Sequence, residues 1–209
     1  MRIKILSKQV VNMLLGALLG AVVFTVNATP NSVMQVYISP EEYTNPIHLQ
    51  FPWGDQEWVS QGQIVEPIAA KSLQEAFGAV QICQGTQTSS SLMWLRPSLF
   101  FNPQVGVYYG TMTAYIYDGN GKPINKYVGE SNVQGSFYFK RQENIHQSYR
   151  LAMQNLVAKL KADNAVTDVI ASDLAAGETY ASCSQVPNLP NNLPAYTPYK
   201  DRFLKPVNP

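Results

Sequence analysis

Two cysteines, two histidines and a charged fraction of only 14% leave this chain few of the groups from which catalytic and metal sites are made. His48 and His146 are isolated from each other and from Cys83 and Cys183, so no metal-ligand spacing is present. The cysteines also lack the C-x-x-C spacing of a redox pair. Glycines that could cradle a phosphate ahead of a helix are missing. Gly129-Glu-Ser131 begins like a nucleophile elbow, but the closing glycine is absent and the segment reads as a hairpin strand. Asp118 and Asn120 resemble the start of a calcium loop, yet Lys122, Ile124 and Lys126 fill the next alternate positions. Acidic pairs such as Glu41-Glu42 have no spacing that marks a glycosidase pair. A non-catalytic protein without a cofactor is expected.

What is present begins with an export signal. Arg2, Lys4 and Lys8 precede an apolar run from Val10 to Val26, and Val26-Asn27-Ala28 places small side chains before a cut at Thr29. At roughly 17 residues the run is also at the lower limit for spanning a bilayer, so an uncleaved anchor is the competing reading. No second apolar span follows. Residues 1–28 are therefore expected to be a removed signal peptide, and the membrane to be met only through that segment before cleavage. The signal takes three cations with it and leaves 12 basic against 14 acidic residues, a net of about −2. Nothing in that balance favours nucleic acid or an anionic membrane surface.

An oxidising compartment favours a Cys83–Cys183 disulfide. Between the cysteines the alternation of apolar and polar residues predicts strands over 92–101, 105–117 and 123–133, with shorter ones over 33–38, 48–51 and 79–83. Pro97 argues that its strand is at an edge or bulged. Asp118-Gly119-Asn120-Gly121 is a hairpin turn. Pro67 to Phe77 reads as a helix that starts at its proline and stops at Gly78. A second helix over 144–162 carries the stripe Ile145, Tyr149, Ala152, Met153, Leu156 and Leu160, with Asn144 as its cap and Gln147 as the box partner. A shorter helix is expected over 166–174. The fold class is α+β: an antiparallel sheet of four or five strands with two main helices on one face.

Residues 29–185 form the expected domain, and 186–209 a tail holding six of the fourteen prolines. Two surfaces are candidates for binding a partner. One is the tyrosine face of the central strand, Tyr109, Tyr115 and Tyr117, extended by Trp94. The other is the tail, where Tyr196, Tyr199 and Phe203 alternate with prolines in the manner of an extended peptide ligand. Packing of each against the domain itself is the structural alternative.

The order of helix, strand, edge strand, long hairpin and second helix after a signal resembles small Gram-negative envelope proteins. These include ABC-type transport auxiliary lipoproteins and outer-membrane assembly lipoproteins. The residues that carry it are Lys71-Ser-Leu-Gln-Glu-Ala-Phe77, Tyr115-Ile-Tyr-Asp-Gly-Asn-Gly-Lys-Pro-Ile124 and Tyr149-Arg-Leu-Ala-Met-Gln-Asn-Leu156, over about residues 65–162. This chain departs from them in having no lipidated cysteine after the signal. The expectation is a periplasmic accessory factor that binds an envelope protein, with oligomeric state and any onward step to the outer membrane or exterior left open. The alternative is a carrier of small ligands or lipids with an apolar pocket lined by Met112, Ile116, Met153 and Leu156.

Overall fold

A computed structural model describes residues 34–50, 54–83, 89, 91–171 and 183–189. Residues 1–28, expected to be an export signal, and the tail beyond Leu189 lie outside the described residues. In chain order the elements are β1 (Met34–Ile38), α1 (Glu41–Thr44), β2 (Ile47–Gln50), β3 (Gln56–Val59), α2 (Gln61–Phe77) and β4 (Val80–Ile82). There follow β5 (Ser91–Asn102), β6 (Val107–Asp118), β7 (Pro123–Gln134), α3 (Arg141–Lys161), α4 (Asn164–Ala171) and a 3-10 turn over Cys183–Asn188. Five strands form one sheet in the order β4-β1-β5-β6-β7, and β2 with β3 makes a separate hairpin. The α+β class is therefore present.

The sheet is mixed rather than wholly antiparallel. β1 runs parallel to both β4 and β5, whereas β5, β6 and β7 are antiparallel. Parallel neighbours need a crossover, and α2 supplies it between β1 and β4. Pro97 lies in an interior strand, yet the pairing with β1 ends at Leu95, two residues earlier. Among the described residues only β6 pairs with the strand at Pro97, where a missing N–H costs no ladder bond on the other side.

The two long helices cover one face of the sheet. All six stripe residues of α3 are fully buried, together with Met34, Val36, Met93, Leu95, Met112, Ala114 and Ile116 from the strands and Val65, Ala69 and Leu73 from α2. Burying each such side chain is worth about 1.5–3 kcal/mol, which is why the stripe positions the helix. Close approach is set by glycine. A Cβ on Gly129 would stand 2.6 Å from Leu156 Cβ and meet the Ala152 carbonyl, and one on Gly110 would stand 2.8 Å from the Ser148 carbonyl oxygen. Ser131 lies between these contacts, buried, its hydroxyl donating to the Ser148 carbonyl at 2.7 Å. Its role is helix docking.

Two helix starts differ from the sequence expectation. α2 begins at Gln61, so Pro67 sits inside it with its ring exposed. The interior proline costs about 3 kcal/mol. The extra turn offsets this by burying Gln61, Gly62 and Val65. α3 starts three residues before Asn144, after Lys140 in the left-handed region at φ 55°. Asn144 is a buried helical residue rather than a cap. The hairpin turn is formed as expected, with Asp118 Oδ1 accepting from the Asn120 and Lys122 N–H groups, both at 2.9 Å.

The opposite face of the sheet has its own small core. Leu92, Tyr115, Tyr117 and Val186 are buried there, with Tyr37, Trp94, Cys83 and Leu189 packed against them. Cys83 and Cys183 are joined, their Cα atoms 5.6 Å apart, and the bridge holds the 3-10 turn against β1 and β4. Packing on the sheet therefore runs past the expected boundary at 185.

Candidate functional site

The hairpin of β2 and β3 has two unlike faces because its residues alternate. Ile47, Leu49 and Val59 point to the core, and Glu57 shares their side. There Glu57 accepts from Gln142 Nε2 at 2.7 Å and pairs with the Arg141 guanidinium at 2.8 Å. These contacts fasten the hairpin to the start of α3. On the other face His48 and Trp58 are cross-strand partners, stacked with ring centroids 4.6 Å apart. Trp58 is 62% exposed. His48 is exposed too.

The link from β7 to α3 adds to this end of the molecule. Phe137 is buried, 5.4 Å from Phe101 and beneath the Arg141 guanidinium at 5.0 Å. That anchor turns its neighbours outward, and Tyr138 and Phe139 are 61% and 69% exposed. Asp55, beside the hairpin, adds to the upward shift of the Tyr138 hydroxyl. Val105, in the turn between β5 and β6, is also exposed, and its carbonyl accepts from Gln134 Nε2 at 2.9 Å. Four exposed large apolar side chains, Trp58, Val105, Tyr138 and Phe139, thus lie on three segments tied to one another where α3 begins. Exposed aromatics carry large contact area at low entropy cost and are suited to docking.

The sequence-predicted surface behaves differently. Tyr115 and Tyr117 are 7% and 1% exposed, covered by Val186 and Leu189, which corrects their reading as an open platform. The apolar side chains of the 3-10 turn needed cover, and the disulfide delivers them to this face. Tyr109 is half-buried and stacked on Phe100 at 6.0 Å, on the same face but farther along the strands. Tyr196, Tyr199 and Phe203 lie outside the described residues. The four residues expected to line a carrier pocket, Met112, Ile116, Met153 and Leu156, are buried members of the main core. Sequence reasoning missed Trp58, Tyr138 and Phe139. The available signals were the strict alternation of Glu57, Trp58 and Val59, and a Phe-Tyr-Phe run directly before a helix.

Titratable groups gather at a separate place, the junction of α1, α2 and α3. Tyr149 donates to Gln61 Oε1 at 2.7 Å, and Gln61 Nε2 donates to Glu42 at 2.9 Å. Burial pushes the Glu42 carboxyl above its usual value, opposed by the charge of Arg96 and the Gln61 hydrogen bond. Burial likewise raises the Tyr149 hydroxyl, and Glu42 adds to the shift. Nearby, Tyr43 donates to Glu66 at 2.6 Å. The whole group is satisfied by its own partners and acts as a polar clamp between helices. Among the described residues no three His, Cys, Asp or Glu side chains stand close enough to hold a metal ion. No helix among them is long and apolar enough to cross a membrane.

No family model matches the chain, and no curated protein does either. Two solved structures are similar to it over part of the chain. A crystal structure of an uncharacterised protein is 12% identical, covers 62% of this chain and 92% of its own, and superposes with a TM-score of 0.42. A PelC dodecamer from Paraburkholderia phytofirmans is 15% identical, covers 69% of this chain and 88% of its own, and superposes at 0.35. Both likenesses are too remote to assign the chain a family.

Proposed function

We propose that this chain is an exported, non-catalytic accessory factor of the cell envelope that binds a protein partner through its exposed aromatic end. The observation that carries the reading is the exposure of Trp58, Tyr138 and Phe139 on segments locked together by Glu57, Arg141 and Gln142. A surface with rigid aromatic anchors loses little side-chain freedom when it docks. The disulfide fits an oxidising compartment, and the N-terminal signal supplies the route to it. Periplasmic residence is the reading favoured by both features together.

The test is site-specific photo-crosslinking in living cells, with the photoreactive residue placed at Trp58 or Phe139 and, as a control, at the exposed Leu151 on α3. Discrete crosslinked products at the first two positions and none at Leu151 are expected, and the products should vanish when the other aromatic residue is changed to Ser. Equal labelling at all three positions would sink the proposal. Intact mass from the native envelope tests export separately: mature protein starting at Thr29, with no free thiols, is expected. A full-length mass would overturn signal cleavage.

A further inference from the structure

Among the described residues β7 is an edge strand, paired with β6 alone. The backbone groups on the far side of an edge strand are a template for another strand. In β7 side chains meet three of them instead. The Val128 carbonyl accepts from Lys159 Nζ at 2.6 Å, the Glu130 N–H donates to Asn155 Oδ1 at 3.2 Å, and the Lys126 N–H donates to Asn125 Oδ1 at 2.8 Å. We propose that Asn155 and Lys159 of α3 are a guard that keeps β7 from adding a strand, and that the strand held off is β7 of a second copy.

The guard rests on a match of spacings. Asn155 and Lys159 are one turn apart on α3, a rise of about 6 Å. Glu130 and Val128 are two residues apart in β7, about 6.8 Å. Helix and strand therefore run in step, and Gly129 between the two contacts lets α3 come close enough for both side chains to reach. Neither side chain belongs to the buried stripe, and both residues are exposed. Holding an exposed lysine on a carbonyl costs rotamer freedom, so packing alone does not account for the arrangement. The second copy follows from the pattern of charge. Lys126, Val128 and Glu130 alternate with buried Gly129 and so share the face away from α3, where Lys126 lies over the Tyr115 ring. Antiparallel pairing of two β7 strands about a two-fold axis at Val128 sets Lys126 of each copy opposite Glu130 of the other. Opposite charges directly across a ladder favour pairing, and a two-fold contact is self-complementary in this way. That ladder needs the Val128 carbonyl and the Glu130 N–H, the groups that Lys159 and Asn155 occupy.

Sedimentation velocity over a range of concentrations tests the proposal on the disulfide-bonded protein purified from cells. The double variant Asn155→Ala/Lys159→Met removes both guards at exposed positions and keeps the apolar stem of the lysine. It should self-associate about tenfold more tightly than the unaltered protein. Adding Lys126→Glu to that variant should abolish the gain, because glutamate would then face glutamate. Adding Glu130→Lys as well exchanges the two charges and should restore it. Equal association of the double variant and the unaltered protein would overturn the guard. Association that ignores Lys126→Glu, or that the charge exchange does not restore, would overturn the second copy of β7 as the strand held off.

Discussion

Single residues settle how closely the layers of this protein approach. Gly129 lets α3 lie against β7, and an added methyl would push into Leu156 and the Ala152 carbonyl. Overpacking of this kind costs about 1–3 kcal/mol, so Gly129→Ala should lower stability by that amount in urea unfolding. An unchanged midpoint would mean that the helix can move aside freely. Glu42 shows a residue-scale effect of charge. Its carboxyl is raised above 4.5 mainly by burial, so the folded protein holds that proton more tightly than the unfolded chain does. The associated stability is present at low pH and is lost as pH rises through the raised value. Glu42→Gln keeps an acceptor for Gln61 and removes the titration. Thermal melts between about pH 4 and about pH 7 should therefore fall less steeply with rising pH in the variant than in the wild type, and parallel curves would refute the assignment. Asp163 works in the opposite sense. The Tyr127 hydroxyl and the Ala165 N–H hold its carboxyl below 3.8, so its contribution is lost as pH falls.

At the scale of elements, local preference and packing compete, and packing wins in α2. Pro67 interrupts the hydrogen-bond ladder of that helix while its ring is exposed. Pro67→Ala restores an N–H and removes the clash with the preceding turn. It should raise stability by about 1–2 kcal/mol, less than the full helix penalty because the unfolded chain also gains freedom. A lower midpoint in chemical denaturation would show that Pro67 packs usefully. The same competition explains why the start of this helix was hard to read. Proline favours a first turn, but Gln61 and Val65 bury themselves against Tyr149 and the core, and that partner lies 88 residues away. By contrast, the stripe of α3 was legible because six apolar residues at one spacing leave a single buried face.

For the whole molecule the Cys83–Cys183 bridge is the largest single constraint. It closes a separation of 100 residues, for which chain entropy gives about 4–5 kcal/mol. A Cys83→Ser/Cys183→Ser double variant should lose stability of that order. Hydrogen exchange should show β4 and residues 183–189 opening before β6 and α3, since β4 pairs with β1 alone over three residues. A loss below about 1 kcal/mol would show that packing of Val186 and Leu189 suffices without the bond.

The sequence by itself determined the pieces whose cause is local or compositional. These are the alternating central strands, the Asp118–Gly121 turn, the buried stripe of α3, the α+β class and the pairing of the only two cysteines. Only the tertiary structure decided what depends on distant partners. It made β1 parallel to β4 because a crossover helix returns the chain in the same direction. It buried Tyr115 and Tyr117 because the disulfide brings Val186 and Leu189 over them. It exposed Trp58, Tyr138 and Phe139 because Glu57 and Phe137, beside them in the chain, take the inward positions. An aromatic side chain is chemically the same in either setting. Burial is decided by what the rest of the chain places on top.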